Sequence, residues 1–285
     1  MPFTVPPEIP ADRLSYALSG GPVGCLILHG FMGSPKSSRP LAGFLHAQGL
    51  TVYCPLLPGH GHLPSRLHQV SHKQWLSAAE SAYLHLRQTC PHVFLIAHSM
   101  GAPIAAHVAA QQPTVRGLVL LAPLYQMPNW LFALMPALRH VVPFLQPLKF
   151  KAVDPRLVYG RLHDFDPGSN LRDPEVPAWL PEGSKMPTSA LDELRRVARV
   201  GRRAWPRVTQ PTLVLQGDRD PAAVPGTMPK LMAALGSRDN RLTLFPGAGH
   251  ELLRPLDPAH RAVWQAIYDF IQAHPAGGQT PAAAR

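Results

Sequence analysis

Cysteine, acidic side chains and long unbroken apolar runs are all scarce in this chain of 285 residues. The three cysteines, Cys25, Cys54 and Cys90, stand in or beside apolar stretches without Cys-x-x-Cys spacing, which argues against a disulfide framework and predicts buried free thiols. A cytoplasmic location is the expectation that follows. The start of the chain agrees, because Pro2, Pro6, Pro7, Glu8 and Pro10 offer neither the basic start nor the apolar stretch of a signal peptide. The apolar residues between Met127 and Leu145 are interrupted by prolines and by Arg139 and His140, so no membrane span is expected. No internal repeat is present. Fifteen histidines raise the question of a metal centre, yet His60 and His62 sit in a glycine-rich turn without cysteines or carboxylates at ligand spacing, and no metal is predicted.

The shortage of acid leaves 17 Asp and Glu against 27 Lys and Arg, a formal net charge of +10. Arg195, Arg196, Arg199, Arg202, Arg203 and Arg207 fall in one segment, and such clusters can attract anionic partners. Residues 189–205, however, read as an amphipathic helix with Leu191, Leu194, Val197 and Ala198 inward, and they lack the aromatic interleaving of a nucleic-acid groove. A solvated arginine face and no nucleic-acid partner are predicted. At 46% hydrophobic, a chain of this length can bury one large core as a single α/β unit.

What the chain does have is a set of short blocks at strand ends. Val93 to Ala97 is apolar enough for a buried strand and 100–112 is an alanine-rich helical pattern, so Ser99 falls on the sharp turn between them. Such a turn strains its central residue and requires small side chains two before and two after, here Ala97 and Gly101. Glycine is usual at both places, and Ala97 departs from it by one methyl group. Upstream, the strand 23–28 runs into His29-Gly-Phe-Met-Gly-Ser-Pro35, a loop whose glycines let backbone N–H groups approach a reacting centre. With the residue after the serine, that loop can supply two donors for an oxyanion, the N–H groups of Phe31 and Met100.

Two further strands end in polar residues. The strand 211–216 leads into Gly217-Asp-Arg-Asp220, and the strand 241–245 into Pro246-Gly-Ala-Gly-His250-Glu251. A serine hydroxyl needs a general base and the imidazole needs a carboxylate to fix its tautomer, so Ser99, an aspartate and His250 form a candidate relay in the order serine, acid, histidine. Asp218 and Asp220 compete for the acid; Asp220 lies further into the loop, where it can swing towards His250. Asp239 reads as part of a plain polar turn.

Together, His29-Gly-Phe-Met-Gly-Ser-Pro35, Pro58-Gly-His-Gly61, Ala97-His-Ser-Met-Gly101, Gly217-Asp-Arg-Asp220 and Gly249-His250 resemble the α/β hydrolases of the bacterial carboxylesterase and monoacylglycerol lipase group. The resemblance implies a mostly parallel sheet of about eight strands flanked by helices, with an inserted cap, or lid. It implies Ser99, Asp220 and His250 as triad, Phe31 and Met100 as oxyanion donors, a small ester or lipid as substrate and no cofactor. His29 and His98 are expected to orient or pack. Amide or carbon–carbon cleavage with the same triad is the alternative chemistry. A non-catalytic binding protein of this fold would be expected to lack a triad member, and a nucleophilic aspartate would have signalled a dehalogenase or epoxide hydrolase.

Roughly ninety residues separate the strand 117–121 from the strand starting near Pro211, far more than a simple connection needs. Residues 1–124 and 206–285 are therefore assigned to the core and 125–205 to the cap. Met127, Trp130 and Leu131, with Phe31, are expected to line the substrate pocket for a medium acyl chain on a small alcohol. The apolar cap residues are expected to bury against the core, with contact to a lipid surface as the alternative. Elsewhere the pattern gives an edge strand at 13–18, helices at 37–48, 71–88 and 258–273, a strand at 50–54 and a frayed tail at 275–285.

Overall fold

The computed structural model describes residues 8–127, 130–146 and 185–275, apart from the side chain of Leu131. Its central sheet has seven strands: β1 (Tyr16–Leu18), β2 (Val23–Leu28), β3 (Thr51–Cys54), β4 (His92–His98), β5 (Val115–Leu121), β6 (Thr212–Gly217) and β7 (Asn240–Phe245), in the spatial order β1-β3-β2-β4-β5-β6-β7. β1 pairs antiparallel with β3 and the other neighbours pair in parallel. The resemblance implied about eight strands; among the described residues the sheet ends at the three-residue β1, with no strand paired outside it.

Helices α1 (Arg39–Ala47), α2 (His72–Arg87), α3 (Gly101–Gln111), α4 (Thr188–Ala204), α5 (Met228–Ala234) and α6 (His260–Ala273) flank this sheet. Because the strands are covered on both sides, each is almost wholly apolar, and alternate residues enter different cores. Leu26, Leu28, Leu95, Ala97, Leu118 and Leu120 pack with α2, α3 and α4, whereas Ile27, Phe94, Ile96, Val119 and Leu121 pack with α1 and α6.

The local signals place the helices within a few residues. At α2, the Ser71 backbone N–H donates to the Gln74 side chain at 2.9 Å, the capping arrangement that a serine followed three residues later by glutamine provides. The helix expected at 37–48 starts instead as a short 3-10 turn, Pro35–Ser38, and α1 begins only at Arg39. Pro40, in the first turn, has no N–H to donate and fits there. The five-turn α4 carries the predicted arginines, and Ala190, Leu194, Val197 and Ala198 on its inner side join the core cluster that contains α3. This part of the expected cap packs against α3 and α2. Most of the remaining expected cap lies outside the described residues; within them it comprises a 3-10 turn, Trp130–Leu134, one helical turn, Met135–Leu138, and a strand pair of Phe144–Leu145 with Met186–Pro187. The expected tail beyond Pro275 also lies outside the described residues.

The strand order decides where a site can form. From β2 the chain turns outward to β3, and from β4 it proceeds the other way to β5, so the direction of winding reverses between β2 and β4. A crevice opens beyond the carboxyl ends of strands at such a reversal. Leu28 stands opposite Ala97 in the β2/β4 register, which sets the loop after Leu28 beside Ser99.

Candidate active site

Ser99 joins β4 to α3 with φ of +52°, a left-handed conformation that costs a non-glycine residue free energy. It is held there by its neighbours. Its N–H donates to the Leu121 carbonyl at 2.9 Å, and its own carbonyl accepts from Ala102 and Leu124 N–H at 3.0 and 3.1 Å. The turn is tight enough that a Cβ at Gly101 would fall 2.4 Å from the Leu28 carbonyl oxygen. Glycine is needed at that place, while the methyl of Ala97, the departure from the usual motif, is fully buried without displacing the turn.

His250 reaches Ser99 from the loop after β7. Its Nε2 lies 3.1 Å from Ser99 Oγ, and its Nδ1–H donates to Asp220 Oδ2 at 2.8 Å. With Nδ1 protonated, Nε2 carries the lone pair that faces the hydroxyl. Of the two competing aspartates, Asp220 meets the histidine, and Asp218 accepts from Gly247 N–H at 2.7 Å. Asp218 therefore ties the β6 loop to the β7 loop. The two loops pass so closely that a Cβ on Gly217 would lie 2.4 Å from the carbonyl oxygens of Ala248 and Gly249.

Asp220 is 4% exposed and saturated with donors. Oδ1 accepts from the N–H groups of Ala222 and Ala223 at 2.8 and 2.9 Å, and Oδ2 accepts from Gln216 Nε2 at 3.0 Å besides His250. Burial alone would raise its pKa, but His250 and the two backbone N–H groups outweigh burial and leave the carboxyl below its ordinary range. Sequence reasoning missed Gln216; the signal was a lone amide ending the apolar strand Thr212-Leu-Val-Leu-Gln216. It also missed Asp257, which accepts from Gly249 and Ala259 N–H at 3.1 and 2.9 Å and so fixes the loop carrying His250.

The histidines expected to orient or pack have specific contacts. His98 Nε2–H donates to the His250 carbonyl at 2.9 Å. His29 accepts from Leu57 N–H at 3.1 Å and contacts the Gly30 carbonyl at 2.9 Å, which ties the loop after β2 to the loop after β3. Within that loop Met32 has φ of +58°, and the Phe31 ring packs edge-on to His60 and Trp75. Met100 is fully buried at the start of α3. Of the expected pocket residues, Met127 is partly buried against the core, Trp130 is 73% exposed, and the Leu131 side chain lies outside the described residues. Among the described residues His98, His250 and Glu251 bring three possible metal-binding atoms within 4.8 Å of one another, a group the His60 and His62 pattern did not point to. His98 and His250 in it already make the hydrogen bonds given above.

Arg139, Arg195 and Arg196 surround the fully buried Asp192 at 2.7, 2.7 and 2.9 Å. The neighbouring Glu193 accepts from His72 N–H and Nδ1–H at 3.0 and 2.5 Å and from Arg139 at 3.0 Å. Two of the predicted solvated arginines are therefore spent on buried acids, whereas Arg199, Arg202, Arg203 and Arg207 are exposed. All three cysteines are buried free thiols, and burial pushes the Cys54 thiol up to about 12, which keeps it protonated and unreactive. Among the described residues no helix is long and apolar enough to cross a membrane.

The model of the family Hydrolase_4, described as serine aminopeptidase, S33, matches residues 24–257. The chain belongs to this hydrolase family. The Hydrolase_4 chain is 27% identical over 254 residues to the thermostable monoacylglycerol lipase of Bacillus sp. (strain H-257), covering 89% of this chain and 92% of that one. It is 30% identical to the monoglyceride lipase of Mus musculus over 63% of this chain and 58% of the mouse protein. Among solved structures, the monoacylglycerol lipase of Paleococcus ferrophilus superposes with a TM-score of 0.72 at 20% identity, over 92% of this chain and 98% of that one. A metagenome-derived lipolytic enzyme from the work on LipS and LipT gives 0.76 at 23%, over 94% and 100%. These structures establish the α/β-hydrolase fold.

Proposed function

We propose that the protein hydrolyses carboxylic esters with short to medium acyl chains, monoacylglycerols included, through an acyl-enzyme on Ser99. The observation that carries this reading is the file of groups Ser99 Oγ, His250 and Asp220, joined at 3.1 and 2.8 Å. Ser99 attacks the ester carbonyl while His250 Nε2 takes its proton. Asp220 holds the imidazole and stabilises the imidazolium. The N–H groups of Phe31 and Met100 receive the oxyanion, and His250 returns the proton to the departing alcohol. Water then repeats the sequence on the acyl-enzyme and releases the acid. No cofactor enters these steps. Phe31 and Met127 are proposed to wall the acyl pocket. The three buried thiols support a reducing, cytoplasmic setting.

Amide cleavage uses the same groups, and the family description, serine aminopeptidase, keeps it as a second reading. The named lipase that matches 89% of the chain favours esters. Hydrolysis of p-nitrophenyl esters from acetyl to palmitoyl, of monoacylglycerols and of aminoacyl p-nitroanilides by wild type and Ser99→Ala separates the two. Serine-dependent ester turnover peaking at medium chains is expected, with Ser99→Ala lower by several orders of magnitude in kcat. Near wild-type turnover in Ser99→Ala, or turnover of anilides alone, would sink the proposal.

A further inference from the structure

Gln216, the penultimate residue of β6, has no exposure to solvent. Its Nε2 faces three oxygens, Asp220 Oδ2, the Gly217 carbonyl and the Ala223 carbonyl, each at 3.0 Å. All three are acceptors, so the surroundings fix which end of the amide points at them. The other end, Oε1, is buried without a hydrogen-bond partner among the described residues. An unpaired buried carbonyl is destabilising, and an apolar side chain of equal length would avoid it. The three acceptors facing Nε2 are what holds the amide in this place.

The oxygen that Gln216 contacts is the one that receives His250 Nδ1–H. Asp220 Oδ1 is pinned by two backbone N–H groups, but among the described residues Oδ2 has only His250 and Gln216 as donors. Without Gln216 the carboxylate keeps one fixed oxygen and gains freedom to rotate the other away from the imidazole. An N–H donor also withdraws charge from Oδ2, which weakens its pull on the Nδ1 proton.

We propose that Gln216 is a positioning residue of the catalytic relay, holding Asp220 Oδ2 towards His250 and tempering its charge, and so setting the aim and the basicity of the histidine. The inference rests on the esterase reading of Ser99, His250 and Asp220. The other ionisable groups around the relay are His98, with its ring 4.8 Å from that of His250, Glu251 beside His250 in the chain, Asp218 and Arg219 on the acid loop, and Asp257 behind Gly249. None of them is altered by a substitution at Gln216.

Two near-isosteric variants test the proposal. Gln216→Met removes the donor, and Gln216→Glu keeps a donor only while the new carboxyl is protonated. Gln216→Met is expected to lower kcat by about 10- to 100-fold with KM within about twofold, by analogy with the loss of hydrogen-bond partners that orient metal-binding side chains. The acidic limb of its kcat/KM profile should move to higher pH. Gln216→Glu should approach wild type at the acidic end of the working range and lose activity as pH rises, because deprotonation sets a second carboxylate against Asp220. Unchanged kcat and pH profiles in both variants would overturn the proposal. So would an activity loss matched by loss of folded protein with the pH limbs unmoved, or failure of both variants to fold.

The rate of Ser99 labelling by a fluorophosphonate separates this inference from the choice of substrate. Wild type that labels at Ser99 but cleaves no ester defeats the ester reading, and the labelling rates of the Gln216 variants still decide the inference. Wild type that does not label defeats the relay and the inference together.

Discussion

At the residue scale the decisive choice is between two aspartates two positions apart. Asp220 meets His250 Nδ1, and Asp218 binds Gly247 N–H, so equivalent substitutions should separate relay from scaffold. Asp220→Asn presents the wrong hydrogen-bonding partner to Nδ1 and is expected to cost about 10⁴-fold in kcat, the scale of the same change in another serine hydrolase. Asp218→Asn keeps an oxygen for Gly247 and should stay within a few-fold of wild type. Steady-state kinetics of the two proteins checks this, and equal losses would remove the distinction. Ser99, Asp220 and His250 were legible because each stands in a short block with its own backbone requirement. Gln216 and Asp257 were not. Their partners lie close in the chain, Gly217, Asp220 and Ala223 for Gln216 and Gly249 and Ala259 for Asp257, but the fold of each loop back onto the side chain follows no recognised motif.

At the scale of elements, α4 shows where pattern reading fails. A charged residue in an amphipathic helix is placed outside by default, because ionised groups are seldom buried unless paired. Asp192 and Glu193 are both buried, and their partners come partly from the same helix and partly from Arg139 and His72 in distant segments. Burial alone would raise the Glu193 carboxyl, but His72 and Arg139 outweigh it and hold it down at about 2. A carboxyl depressed in the folded state stabilises the fold fully above the unfolded carboxylate range. That contribution fades as pH falls from about 4.3, the ordinary glutamate value, to about 2 in the folded protein. Glu193→Gln should therefore melt below wild type at pH 7, and the difference should shrink through that window. Thermal melts of both proteins from pH 7 to 2 check it, and a gap that stays constant with pH would detach the effect from ionisation.

At the scale of the whole molecule, the site exists because the loops after β2, β4, β6 and β7 converge over the reversal in strand order. A mostly parallel sheet was implied by the resemblance, and the apolar strands were readable in the sequence, but the convergence depends on backbones meeting at van der Waals distance. At Gly217 that approach is as tight as at Gly101. Its missing Cβ admits the carbonyls of Ala248 and Gly249, and Arg219 N–H donates to the Ala248 carbonyl at 3.0 Å nearby. A methyl group there must push the His250 loop outward, since backbone oxygens cannot rotate away as a flexible side chain can. Overpacking of this kind costs about 1–3 kcal/mol, which a chain of this size can absorb with its sheet intact. A displacement of about 1 Å at the base, however, can cost about 10²-fold in rate. Gly217→Ala is thus expected to remain folded, with a modestly lower urea midpoint, while kcat falls about a hundredfold or more. The fluorophosphonate labelling rate of Ser99 should fall with it. A variant that keeps its labelling rate would mean that the two loops can part without carrying His250 away from Ser99.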